Sequence, residues 1–339
     1  MKPVIGINGF GRIGFCVART AIKKGWEIAA INASRKPSDI AQIFAYDSTH
    51  GRFDGTVFYN DDEGYVVING KKILTIDERD PELIEWKKYG VEYVVECTGK
   101  FKTLKEAGKH LVGGVQRVII SAPSDDAPNF VYGVNHEDYD AAEMQVVSAA
   151  SCTTNCVAPI VKVLNDAFGI ESGYMLTTHA MTSKQPPLDG FDKKDPRIGR
   201  AGPINIIPTT TGATKAVGKV IPDVLGKLTG LALRVPVVDG SIATLTLNLK
   251  CPVTKEDLLE VVDRVVSEDP VMNQVIEYDA TNRLVSSDII GNTHSCVFDE
   301  ALVEVTTPTC VTVSCWYDNE MSYTAQMFRL MEYMGEQEE

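Results

Sequence analysis

The chain has 339 residues, a length suited to two domains rather than one core. Its net charge of −13 argues against nucleic acid or an anionic membrane as a bulk partner. No run approaches the ~18 uninterrupted apolar residues of a membrane span. The eight cysteines have neither metal-ligand spacing nor a small-domain disulfide pattern, so a reduced, cytoplasmic protein without a metal site is expected.

The first residues are expected to enter a strand at once, leaving no room for a signal peptide. Val4 to Asn8 reads as that strand. Gly9-Phe10-Gly11-Arg12-Ile13-Gly14 follows, and Ile13, Val17 and Ala21 then carry a helical stripe. A second strand, Glu27 to Asn32, completes a βαβ unit. A GxGxxG between a strand and a helix is the context a dinucleotide site requires. Gly9 permits the tight turn, Gly11 lets the backbone approach a pyrophosphate, and Gly14 lets the helix pack on the strand. Dinucleotide-binding chains usually place a carboxylate at the end of the second strand. Here that stretch reads Asn32-Ala33-Ser34-Arg35-Lys36, with no carboxylate and two cations.

Further strands are expected at Tyr93–Cys97, Arg117–Ser121 and Gln145–Ser148, in a mostly parallel sheet up to about residue 150. Ligands bind at the carboxyl ends of such strands, which makes Thr98-Gly99 and Ser121 pocket candidates. Next comes Ser151-Cys152-Thr153-Thr154-Asn155-Cys156. Val157, Ile160, Val161 and Leu164 then mark one face of a helix that runs out at Gly169. Cys152 falls at the start of that helix, where free N–H groups and the helix dipole favour a thiolate, so a depressed thiol pKa is expected.

Beyond this helix the character changes. Tyr174–Met181, Leu231–Val237, Ser241–Lys250 and Val311–Tyr317 read as strands. The alternation from Ser241 to Leu249 marks a half-buried antiparallel strand. Lys255–Val266 reads as an amphipathic helix. Residues 183–205, rich in Pro, Gly and charge, read as a functional loop or interface. A last helix from about Met321 ends in an acidic tail, 336–339, expected to be frayed and solvated. His179 closes a strand after the Cys152 helix and is the candidate base for that thiol. His50, His110, His136 and His294 have no nucleophile nearby in sequence.

Asn8 to Gly14, Ser148 to Cys156, His179, Ile207-Pro208-Thr209-Thr210-Thr211-Gly212-Ala213, Leu233-Arg234-Val235-Pro236 and Trp316-Tyr317-Asp318-Asn319-Glu320 together resemble the phosphorylating glyceraldehyde-3-phosphate dehydrogenase family. The likeness runs over nearly the whole chain. It implies an α/β Rossmann-type domain over residues 1–150 and an α+β catalytic domain with a mostly antiparallel sheet over 151–317. The segment from about 318 to 339 would return to the first domain. The implied chemistry is attack of Cys152 on the aldehyde, with His179 as base, hydride transfer, and cleavage of the thioester by inorganic phosphate. The resemblance assigns Ser151, Thr153, Thr182, Thr211, Gly212 and Arg234 to two anion sites, with Arg197 standing for one of the family's paired arginines. It assigns Arg12, Ile13, Arg79, Ser121 and Asn319 to the cofactor, beside Gly9, Gly11, Ala33, Ser34, Arg35 and Thr98. It further implies a homotetramer with residues 183–205 at a subunit boundary, and a place in glycolysis or gluconeogenesis.

The chain departs from the family pattern at Met181, Ser183, Lys184, Ile198 and Met321-Ser322. The sister activity on erythrose 4-phosphate is therefore the alternative substrate reading. A nucleotide-binding redox sensor using Cys152 without turnover is the alternative of another class. Because Ala33 replaces the usual carboxylate and Arg35 and Lys36 supply charge, NADP is expected to be accepted and preferred over NAD.

Overall fold

The computed structural model describes residues 2–193 and 195–338. Met1, Lys194 of the Pro- and Gly-rich loop and Glu339 of the acidic tail lie outside the described residues. Contacts divide the chain into two compact units. The first comprises Met1–Phe130, His136–Ala150 and Met327–Glu339, and the second Val131–Asn135 and Ser151–Gln326. The second unit thus runs on to Gln326 instead of ending at 317, and Asn319 groups with it.

The first unit is built on a sheet of eight strands. In chain order it has β1 (Ile5–Asn8), α1 (Arg12–Lys23), β2 (Ile28–Asn32), α2 (Pro37–Ala45), β3 (Val57–Asn60), β4 (Tyr65–Ile68), β5 (Lys71–Ile76), β6 (Tyr93–Glu96), α3 (Leu104–Ala107), β7 (Arg117–Ile120) and β8 (Val146–Ser148). The spatial order is β3-β4-β5-β2-β1-β6-β7-β8. Pairing is parallel from β5 to β8, and antiparallel for β3 with β4 and β4 with β5. β1 and β6 are buried along their whole length, as strands covered on both faces must be. Trp86, fully buried, packs among Val94, Val118 and Ile120 on one face of this sheet.

Of the acidic tail, residues 336–338 are exposed, as expected of a solvated end, but Glu338 is anchored through its side chain. Glu338 pairs with the Arg117 guanidinium at 2.6 Å and accepts from the Tyr139 hydroxyl at 3.2 Å. A half-buried Arg on β7 and a Tyr hydroxyl give Glu338 partners that composition alone does not reveal.

The second unit begins with α4 (Cys152–Phe168) and β9 (Ile170–Ala180). It continues through β10 (Ile207–Thr210), α5 (Ala213–Val220), β11 (Leu228–Val235), β12 (Ser241–Leu249), α6 (Lys255–Glu268), α7 (Pro270–Val275), β13 (Ile276–Asp279), β14 (Cys296–Asp299), β15 (Glu304–Thr307) and β16 (Cys310–Tyr317), and ends in the first turns of α8 (Met321–Glu336). Its sheet runs β10-β11-β9-β12-β16-β14-β13, with β15 on β16. Only β11 with β9 and β13 with β14 are parallel. Along β12 Ser241, Ala243, Leu245, Leu247 and Leu249 are buried, the alternation of a sheet with one covered face. The covering element is α4, whose Val157, Ile160, Val161 and Leu164 are all buried against β9, β12, β14 and β16.

Candidate active site

The thiol is placed by a tight strand-to-helix turn. Ala150 adopts φ 55°, the left-handed region that costs an L residue roughly 1–2 kcal/mol. Ser151 then caps α4: its Oγ accepts the Thr154 N–H at 3.1 Å. Cys152 is left as the first residue of the helix, partly exposed, among the first-turn N–H groups. His179, near the end of β9 and only 4% exposed, brings Nε2 to 3.5 Å from the Cys152 sulfur. The other ring nitrogen lies 2.8 Å from the Ala180 carbonyl. A carbonyl only accepts, so Nδ1 carries the proton and Nε2 offers a lone pair to the thiol.

Strand pairing supplies the cation. β11 runs parallel to β9 with Arg234 directly across from His179. One Arg234 Nη donates to the Ala180 carbonyl at 3.3 Å, while its Nε is buried without a partner. An orphaned guanidinium N–H beside a nucleophile is a donor left for an anion.

The charges here do not follow the expected pattern. Burial raises the Cys152 thiol above its ordinary value, and the pull of Arg234 and Thr153 only partly offsets it. The depressed thiol expected from the helix start is therefore corrected: loss of water outweighs the pull of Arg234 and the Thr153 hydrogen bonds. Burial, with the Arg234 charge, lowers His179 to about 3. Both shifts favour an uncharged thiol beside a neutral imidazole across the physiological range, and both oppose transfer of the proton between them before substrate is attacked. Passing the proton from sulfur to Nε2 leaves the pair's net charge unchanged and creates opposite charges 3.5 Å apart. Their attraction offsets part of the burial cost when the sulfur attacks.

The residues around this pair are held by hydroxyl bonds. Thr153 Oγ1 and Thr177 Oγ1 both meet the buried Tyr317 hydroxyl, at 2.9 and 2.8 Å, and the Tyr317 ring stands edge-on to His179. Neither Thr177 nor the Tyr317 hydroxyl was picked out from sequence, because their approach depends on sheet register. Thr182 donates its N–H and hydroxyl to the Gln185 side chain, both at 3.0 Å. Thr211 accepts the Ala213 N–H at 3.2 Å, and Gly212 precedes α5 with no side-chain cap on that helix start. Arg197 is exposed on the loop, its backbone held by Asp195. Asn319 is buried: its Oδ1 accepts the Ser241 hydroxyl at 2.7 Å and its N–H donates to Asp239. Burial and the adjoining Asp318 push the Asp239 carboxyl up to about 9.

The first unit holds a separate cleft of about 470 Å³ at the carboxyl ends of its strands, lined by residues from Asn8–Gly11, Asn32–Arg35, Glu78-Arg79, Cys97-Thr98 and Lys100-Phe101. Of the expected cofactor residues, Gly9, Gly11, Ala33, Ser34, Arg35, Arg79 and Thr98 line it. Arg12, Ile13 and Ser121 do not. The Arg12 guanidinium is engaged by Asp47 and lies over the Phe15 ring, so Arg12 offers the cleft its place in the first turn of α1. Gly9 has φ 95°, and a Cβ on Gly14 would collide with the Gly9 carbonyl. A Cβ on Gly11 would meet only open space, and α1 starts with no side-chain cap. First-turn N–H groups without a cap, facing open space, are what a pyrophosphate requires. The residues present therefore fit a dinucleotide. Glu78, Lys100 and Phe101 were not foreseen, since they come from loops with no motif of their own.

A glycine-rich turn in a parallel sheet, joined in one chain to a thiol–imidazole pair at a helix start, makes up the parts of a dinucleotide-dependent oxidoreductase with a cysteine nucleophile. Comparison with known proteins narrows the class. Residues 3–104 match the family description "Glyceraldehyde 3-phosphate dehydrogenase, NAD binding domain", and residues 151–319 match its C-terminal domain. The chain is 49% identical over 333 residues to glyceraldehyde-3-phosphate dehydrogenase 1 of Schizosaccharomyces pombe, covering 98% of this chain and 97% of that protein. It is 47% identical over 339 residues to glyceraldehyde-3-phosphate dehydrogenase 3.1 of Caenorhabditis briggsae, covering 98% of each. The chain belongs to the glyceraldehyde-3-phosphate dehydrogenase family. Among the described residues no helix is long and apolar enough to cross a membrane.

Proposed function

We propose that this chain oxidises glyceraldehyde 3-phosphate to 1,3-bisphosphoglycerate with Cys152 as nucleophile and His179 as base. The observation that carries this reading is the 3.5 Å approach of a neutral imidazole nitrogen to a thiol at a helix start. Cys152 Sγ bonds to the aldehyde carbon while its proton passes to Nε2 and on to the aldehyde oxygen. His179 then takes the hydroxyl proton of the thiohemiacetal as C1 loses hydride, leaving a thioester. The nicotinamide cofactor, when bound, accepts that hydride. An oxygen of inorganic phosphate attacks the thioester carbon, the carbon–sulfur bond breaks, and the acyl phosphate leaves with Cys152 restored. The Cys152 N–H is suited to steady the oxyanion. Arg234, with its unpartnered Nε, and the start of α5, where Thr211 takes the Ala213 N–H and Gly212 brings no side chain, are suited to the phosphate groups of substrate and co-substrate. The triose phosphate is preferred over erythrose 4-phosphate because full-length relatives at 46–49% identity carry the triose name.

The cofactor reading goes further than the family name. Ala33 leaves the ribose without a facing carboxylate. A second cavity of about 370 Å³ adjoins the cleft through Ser34 and Arg35 and is also lined by Lys36. Those cations suit a 2′-phosphate, although Asp39 and Asp77 share the lining and temper the gain. We therefore take NADP as the preferred cofactor and NAD as a second one. The test is kcat/KM for each, in wild type and in Ala33→Asp. The substitution should move the ratio toward NAD by about tenfold, which needs only ~1.4 kcal/mol. A wild-type enzyme tenfold better with NAD, or an unmoved ratio, contradicts this reading of residues 32–36. The same proposal takes the protein as a cytoplasmic homotetramer, because Leu188, Phe191, Ile204 and Ile206 stand exposed on one loop segment, as residues of a subunit boundary would.

A further inference from the structure

Asn32, Asn8 and Glu96 are the last residues of β2, β1 and β6, three neighbouring parallel strands. The register sets Asn8 between Asn32 on one side and Glu96 on the other. All three are buried. A row of polar side chains across the end of an apolar sheet is costly unless each is bonded. Here each bond sets the polarity of the next.

The Trp86 Nε1–H can only donate, and it donates to His110 Nδ1 at 3.0 Å. The fully buried His110 therefore offers the Nε2–H to Glu96 Oε2 at 3.1 Å. The Asn8 amide donates to the same oxygen, which turns the Asn8 Oδ1 toward Asn32. Asn32 Nδ2 donates to it at 2.6 Å. Asn32 then grips the backbone of Glu78 both ways, donating to its carbonyl at 2.7 Å and accepting its N–H at 2.9 Å. On the far side Glu96 Oε1 accepts the Thr98 N–H at 2.7 Å. The 3.3 Å approach of Asn8 Nδ2 to His110 Nε2 is a contact between two donors that share Glu96. Glu78, Arg79 and Thr98, the segments this chain of bonds holds, all line the cleft, as do Asn8 and Asn32, whereas Glu96 and His110 lie behind it.

We infer that Glu96, His110, Asn8 and Asn32 are positioning residues. They form a one-way relay that holds the Glu78-Arg79 and Thr98 walls at the spacing the adenosine half of the dinucleotide needs. The relay sets cofactor affinity and leaves hydride transfer alone. This rests on the cleft being the dinucleotide site.

A one-way relay can be broken by an isostere. Glu96→Gln keeps the shape but turns one acceptor oxygen into a donor, and in either orientation that donor faces an N–H. Asn32→Ala removes the grip on Glu78 together with a side chain that itself lines the cleft, so Glu96→Gln, whose side chain is not in the lining, decides between positioning and direct contact. The experiment titrates wild type and both variants with adenosine 5′-diphosphoribose and its 2′-phosphate, which lack nicotinamide, and measures kcat at saturating cofactor. In both variants Kd for the nicotinamide-free ligand and KM for the cofactor should rise together by about tenfold, with kcat within about twofold of wild type. Trp86→Phe, which removes only the first donor, should raise the same Kd by about threefold and carries the test should Glu96→Gln not fold. Unchanged Kd in folded variants, even with a lower Tm, overturns the inference, as does a fall in kcat at constant Kd. Failure of wild type to bind either nicotinamide-free ligand would strike instead at the cleft assignment.

Discussion

Two helices of this chain start at the end of a buried parallel strand, and they use the same free N–H groups for different ends. At α1 nothing caps the helix, the turn is glycine, and the space above Gly11 is open. The donors remain for an anion brought from outside. At α4 the Ser151 side chain fills the Thr154 N–H, the turn passes through a left-handed alanine, and the first helical residue is a thiol. The donors there surround a nucleophile that belongs to the chain. A helix start is thus a general electrostatic device, and its cap decides whether it binds or reacts.

The comparison predicts reciprocal losses, and these are the largest effects expected. Cys152→Ser should abolish turnover, a loss of at least ~10⁴, while cofactor binding stays within about twofold. Gly14→Ala should do the opposite. Its Cβ would press on the Gly9 carbonyl, so cofactor affinity should fall by about a hundredfold while Cys152 alkylation by iodoacetamide proceeds at the wild-type rate. Loss of both properties in either variant would break the division of labour.

A smaller effect sharpens the α4 side. His179→Asn should lower kcat by about 10²–10⁴, the usual worth of a general base. It should also alter the pH dependence of stability. The native imidazole is held neutral down to about 3, whereas in the unfolded chain it takes a proton near its ordinary value of 6.5. Below pH 6.5 the unfolded state therefore binds more protons, and wild-type stability is lost as pH falls toward 3, by up to ~1.4 kcal/mol per unit. Denaturant unfolding of His179→Asn between pH 7 and 4 should show a shallower decline than wild type. Parallel curves would mean that the native His179 is charged.

Much of this was legible in sequence because it is local. The glycine turn, the helix start at Cys152, the α4 stripe and the alternation along β12 are short-range patterns, and the structure places them within a residue or two. The hairpins β3–β5 went unread although Asn69-Gly70, both with positive φ, form the two-residue turn that signals one. The outermost strand, β3, leaves Phe58 and Tyr59 exposed, so no polar–apolar alternation marks it. What sequence could not supply is register. Arg234 meets His179, and Asn8 meets Glu96, only because particular strands pair in a particular frame. The direction of the thiol's shift differs from the expectation for a related reason: a helix start is visible in sequence, but the burial that raises the thiol is not.

The central claim is that Cys152 becomes the acyl carrier. The direct measurement is mass spectrometry of the intact and digested protein after mixing with glyceraldehyde 3-phosphate and NADP without inorganic phosphate. The account predicts about one acyl group per chain, on the peptide carrying Cys152, formed together with the reduced cofactor and released as acyl phosphate when phosphate is added. Cofactor reduction with no adduct, or an adduct on Cys156 in place of Cys152, would contradict it.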